Sequence, residues 1–127
     1  MRKYLIIIGI PLLFFLAGFS SCEKNHAPEI IEISYSPLSG TGGTVYTLTV
    51  GAVDRDSDPL RYLWTAEDGE FLEGSTSAQA KWQAPVLMTS QAYSIKLSVS
   101  DGEESISQNV QFQVLVFNYQ IRMQLQI

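Results

Sequence analysis

One cysteine, Cys22, and one histidine, His26, are all that this 127-residue sequence holds of the two residues most used for metal and nucleophile chemistry. A single thiol excludes a disulfide framework. One thiol with one imidazole also excludes a four-ligand zinc cluster and any triad built on histidine. Basic residues are scarce: eight Lys and Arg stand against 13 Asp and Glu, for a formal net charge of −5. Arg2 and Lys3 precede position 21 and every acid follows it, so loss of the first 21 residues leaves the remainder more acidic still. No nucleic-acid partner is expected, because phosphate binding needs a basic face. From Pro28 onward no segment repeats its apolar residues at helical period. The length suits one domain with one two-layer core, and leaves no room for a deep cleft between domains. A composition of 46% hydrophobic and 11% aromatic residues is that of a globular chain rather than a disordered one.

The N-terminus is of a different kind. Met1-Arg2-Lys3 gives a positive start, Leu5 to Phe19 is an unbroken apolar run, and the small pair Ser20-Ser21 precedes Cys22. This is the anatomy of an export signal ending at residue 21. The run is shorter than the roughly 20 apolar residues that a bilayer-spanning helix needs. Phe19-Ser20-Ser21-Cys22 resembles the lipobox of bacterial lipoproteins, with phenylalanine and paired serines in the manner of the Bacteroidota. That resemblance implies a lipidated Cys22, membrane attachment through the N-terminal lipid, and an outer-membrane location in the cell envelope, on either face. The other reading is a plain signal peptide followed by an incidental cysteine. Residues 22–27 form a short polar tether, and its five residues after Cys22 reach at most about 18 Å.

From 28 to 116 the chain reads as short strands separated by turn chemistry. Ile30–Tyr35 is the first. Ser36-Pro37 and the loop Ser39–Gly43 close it; that loop lacks phosphate-cradle spacing and reads as a connection. Val45–Ala52 follows, then Leu60–Thr65, with shorter strands around Phe71 and around Ala80, Trp82 and Ala84. The clearest is Tyr93–Ser100, where Tyr93, Ile95, Leu97 and Val99 alternate with Ser94, Lys96, Ser98 and Ser100. Val110–Val116 is the seventh. Seven such strands predict an all-β fold, an immunoglobulin-like antiparallel β-sandwich. Trp64 and Trp82 both fall on the core-facing side; Tyr35 and Phe117 are left as aromatics for sugar stacking.

Asp54-Arg55-Asp56-Ser57-Asp58-Pro59-Leu60-Arg61-Tyr62-Leu63-Trp64 resembles the DxDxDPLxYxW segment of PKD-like and related bacterial immunoglobulin-like domains. Trp82-Gln83-Ala84-Pro85 and the run Tyr93 to Gly102 are similar to their later blocks. Trp64-Thr65-Ala66-Glu67-Asp68-Gly69 stands where PKD domains proper have W-x-F-G-D-G, so the resemblance is to a PKD-like relative. It implies a spacer or recognition module of bacterial surface proteins.

In that topology the loop Asp54–Pro59 and the turn Asp101–Glu104 share one end of the sandwich. Asp54, Asp56, Asp58 and Asp101, with Glu103 and Glu104 nearby, are therefore candidate ligands for calcium, which takes hard oxygen donors. The alternative is ordinary turn chemistry, with Asp54 accepting backbone N–H bonds. No other cofactor is expected, and no catalytic residue, because a glycosidase pair needs a cleft that a lone sandwich does not offer. Residues 117–127 alternate strictly with the opposite parity to Val110–Val116, as a bent extra strand or a tail. Two functions stay open: a lipid-anchored envelope module binding a protein or a glycan, and a structural spacer or fragment of a larger surface protein.

Overall fold

Alternation at period two forces one side of each strand onto a core, and two such faces seal each other. The computed structural model describes residues 23–86 and 89–116. Among them are eight strands and no helix: β1 (Glu29–Ser36), β2 (Gly40–Thr41), β3 (Val45–Val53), β4 (Arg61–Ala66), β5 (Glu70–Glu73), β6 (Gln79–Gln83), β7 (Gln91–Ser100) and β8 (Ser105–Leu115). They form two four-stranded sheets in the orders β1-β3-β6-β5 and β2-β8-β7-β4. Apart from β2, this is the constant-type immunoglobulin arrangement of four strands against three.

Three features depart from the sequence expectation. Gly40–Thr41, read as part of a connection, pairs in parallel with Val114–Leu115 and carries the chain from one sheet to the other. Two residues cannot display a period, and the contact depends on absence of a side chain: a Cβ on Gly40 would lie 2.7 Å from the Tyr46 hydroxyl and from Thr44. In β1 the register slips between Ile30 and Glu32, and the bulge leaves Ile31 exposed. Tyr35, left unplaced by the sequence, is half-buried with its ring 5.3 Å from that of Phe112. Phe117, the rest of 117–127 and the reversal of parity expected there lie outside the described residues, as does Cys22.

The core is made by the inward residues of β3, β4, β6, β7 and β8, with Trp64 1% exposed and Trp82 fully enclosed. The Trp82 ring centroid lies 5.3 to 5.9 Å from those of Tyr46, Tyr93 and Phe112, within the range of favourable aromatic pairs. Each indole N–H finds a loop carbonyl: Trp64 Nε1 donates to Ser77 O at 2.9 Å and Trp82 Nε1 to Asp68 O at 3.0 Å. The second bond needs a tight β4–β5 turn. Gly69 supplies it at φ +79°, where a Cβ would lie 2.5 Å from the Trp82 ring.

Trp64→Ala should lower unfolding free energy by about 3–5 kcal/mol in a denaturant titration. Gly69→Ala should also destabilise, by more than about 1 kcal/mol, since the alanine meets both an unfavourable φ and the indole. Gly51→Ala, with open space around the new methyl, should leave the midpoint close to that of the parent.

Candidate functional site

The acidic residues singled out in the sequence lie at one end of the sandwich, on the loop after β3 and the turn after β7. Asp54 organises the first. Its Oδ1 accepts from the backbone N–H of Asp56 at 2.8 Å and of Asp58 at 3.1 Å, and Ser57 takes a left-handed conformation with φ 65°. This folding of the loop around one carboxylate gathers the alternate acids on one side. Oxygens of Asp54, Asp56 and Asp58 lie within 4.8 Å of one another. Asp54 Oδ2 is buried without a hydrogen-bond partner among the described residues. Three carboxylates so close repel one another, and a divalent cation is one way to offset that repulsion.

Asp101 organises the second turn and is not a member of that group of three. Its Oδ1 accepts from the N–H groups of Glu103 and Glu104, each at 2.7 Å. Ser100 Oγ donates to Glu104 O at 2.9 Å and accepts from Gly102 N–H at 3.1 Å. The turn-forming role anticipated for Asp54 and for Asp101 is thus present alongside the clustering of the first three acids.

Two residues of the tether, which the sequence reading treated only as polar spacer, bind both loops. Asn25 Nδ2 donates to Asp101 Oδ2 at 2.9 Å. The His26 backbone N–H donates to Asp56 Oδ2 at 2.7 Å, and its Nδ1 lies 3.1 Å from both Asp56 oxygens. These partners are 76 and 30 residues apart, so no local pattern announces them. Their effect is electrostatic as well as geometric. Hydrogen bonds from His26, backbone first and then side chain, hold the Asp56 carboxyl below the ordinary aspartate range. The Asn25 amide, followed by the Glu104 and Glu103 amides, does the same for Asp101.

Two hollows flank the strands. One, of about 590 Å³, runs beside the tether between Lys24, His26, Val53, Arg55 and Glu104. The other, of about 470 Å³, lies toward the opposite end, where the β4–β5 turn stands beside β7, and is lined by Thr65, Glu67, Asp68, Gln91, Lys96 and Asn109 among others. Neither contains an imidazole or thiol beside a nucleophile.

No known family model matches the chain. It is 33% identical over 93 residues to a chitinase A of Pseudoalteromonas piscicida, a stretch that is 73% of this chain and 11% of that protein. The chain therefore spans about a tenth of the chitinase. Among solved structures it is similar to a nucleoside hydrolase-related hypothetical protein of Saccharophagus degradans that is associated with carbohydrate metabolism, at a TM-score of 0.52 and 21% identity over 73% of this chain and 26% of that one. That likeness is one of fold. Repeats EC1-2 of human protocadherin-24 align at a TM-score of 0.45 and 18% identity, over 74% of this chain and 44% of theirs.

A carboxyl whose folded-state pKa is depressed adds stability above its unfolded value, near 4, and that stability is lost as pH falls through the folded value. Asp56 and Asp101 should therefore titrate below ordinary aspartate in carboxyl-carbon NMR. Asn25→Ala should return Asp101 upward, and leave Asp56 where it was. Equal movement of both carboxyls in that variant would mean that the two loops titrate as one unit.

Proposed function

We propose that the chain is a non-catalytic recognition module of the cell envelope whose partner is a polysaccharide. The observation that carries this reading is the likeness in sequence to a domain-sized tenth of a protein named as a chitinase. A stretch that is so small a part of an enzyme is long enough for a domain that binds and too short for the whole enzyme, and the fold itself favours no one activity. The chemistry of the described residues agrees with binding, because Asp54, Asp56 and Asp101 are engaged in turns and tether contacts. Lipidation at Cys22 would hold the module at a membrane surface, with two or more acyl chains giving stable attachment where one chain is marginal.

A second reading concerns the acidic end and rests on the orphaned, buried Asp54 Oδ2 beside the Asp56 and Asp58 carboxylates. In this reading Asp54, Asp56 and Asp58 hold a structural calcium ion, with water or backbone oxygens completing the six to eight ligands that calcium takes. The ion would offset the mutual repulsion of the three carboxylates and stiffen the loop on which the tether docks.

Three measurements test these readings. The purified chain should be depleted from solution by insoluble chitin or cellulose, and a chain that stays in the supernatant with both overturns the polysaccharide reading. Cys22→Ala should move the protein out of the membrane fraction, and mass spectrometry of the parent should show Cys22 acylated. For the metal, the melting temperature should rise with the logarithm of free calcium, since an ion that binds only the folded state stabilises by mass action. Asp58→Asn, which keeps the Asp54 turn, should abolish that rise; no shift in millimolar calcium leaves the cluster as turn chemistry.

A further inference from the structure

The two outer faces of the sandwich use their polar side chains differently. On the β1-β3-β6-β5 sheet they are tied to one another: Lys81 pairs with Glu73, and Gln79 Nε2 donates to Thr49 Oγ1 at 3.3 Å. The β2-β8-β7-β4 sheet presents Thr65, Lys96 and Asn109 side by side, because Thr65 pairs with Lys96 across β4 and β7 and Lys96 with Asn109 across β7 and β8. Adjacent strands lie about 4.8 Å apart, so the three form a rung roughly 10 Å long. The ion pairs among the described residues are His26–Asp56 and Lys81–Glu73, which leaves the Lys96 ammonium without a carboxylate partner.

That rung is the floor of the 470 Å³ hollow, and the β4–β5 turn with Glu67 and Asp68 forms its wall. Tyr93, whose pKa is raised first by burial and then by the Asp68 charge, also borders it. The volume is within the range of small-ligand sites. The donor set is mixed. Lys96 only donates, Glu67 and Asp68 only accept, and Thr65, Asn109 and Gln91 do both. Carboxylates on the wall oppose phosphate or sulfate, and the polar floor opposes an apolar ligand. Groups that donate and accept at every position fit a ligand that does the same.

We infer that the hollow between the β4–β5 turn and the outer face of β7–β8 is a binding site for a neutral oligosaccharide, seated on Thr65, Lys96 and Asn109. The inference rests on the polysaccharide reading above and gives it a place. Hydroxyl or acetamido groups of the sugar accept from the Lys96 ammonium and the Asn109 amide, and sugar hydroxyls donate to Glu67 and Asp68. The site lies on the end of the sandwich away from the tether, so a bound polymer extends clear of the N-terminal attachment.

Calorimetric titration of the full chain with the tetramers of N-acetylglucosamine and of glucose tests it, with binding to the insoluble polymers measured in parallel. Lys96→Ala and Asn109→Ala are exposed positions and should fold with unchanged melting temperature, yet each should weaken binding about tenfold, as loss of a hydrogen bond to a charged or buried partner does. Lys81→Ala on the opposite face should bind as the parent does. Preference between the two tetramers then states whether the acetamido group is read. Parent-like affinity in both groove variants, with the parent itself binding glycan, overturns this site and leaves the polysaccharide reading standing. A parent that binds neither tetramer nor polymer overturns both.

Discussion

A sandwich this small can enclose two indoles only if each finds an acceptor for its single N–H. A buried donor left unpaired costs about 1–3 kcal/mol, a large part of the margin on which a domain of this size survives. Here both acceptors are loop carbonyls, Ser77 O for Trp64 and Asp68 O for Trp82. The loops on either side of β5 are therefore held by the core rather than merely spanning it. The Trp64 backbone N–H adds a further bond to Ser75 O at 2.7 Å, which closes part of the free edge of β4. Positions and shape of the β4–β5 turn, and hence the wall of the hollow beside β7, follow from how the tryptophans are satisfied.

The alternation in Tyr93–Ser100 made the parity of β7 plain, and the same argument placed Trp64 and Trp82 inside, where they are. Period-two reasoning is strong there because each strand buries one whole face, so a one-residue error would invert it. It has nothing to work on in β2, whose two residues pair in parallel with β8, or in the β1 bulge, where the register slips between Ile30 and Glu32. That the two acidic loops share one end follows instead from the sandwich topology that the PKD-like resemblance implied. The roles of Asn25 and His26 were not legible at all. Their partners lie far along the chain, and a hydrogen bond across such a distance leaves no trace in spacing. Of the rung Thr65–Lys96–Asn109, the sequence placed only Lys96 on a polar face; cross-strand register adds the other two, and the turn beside them makes the surface concave.

Carboxylates stand at both ends of the sandwich, in different company. Asp54, Asp56, Asp58 and Asp101 crowd the end where the tether arrives, while at the other end Glu67 and Asp68 of the β4–β5 turn stand beside an outer face of β7–β8 that carries hydroxyls, amides and the Lys96 ammonium. The two groups act separately, because interactions between exposed charges fade within about 8–10 Å at physiological salt.

The tether contacts have a mechanical consequence. A pull applied through the N-terminus would, without them, fall on β1, an edge strand that can be peeled from β3 one pair of hydrogen bonds at a time. Asn25 and His26 intercept that load before it reaches Glu29 and divide it between two loops. One of them joins β3 of the first sheet to β4 of the second, and the other joins β7 to β8 within the second. The contacts thus lead from the tether into both layers of the sandwich, ahead of the edge strand.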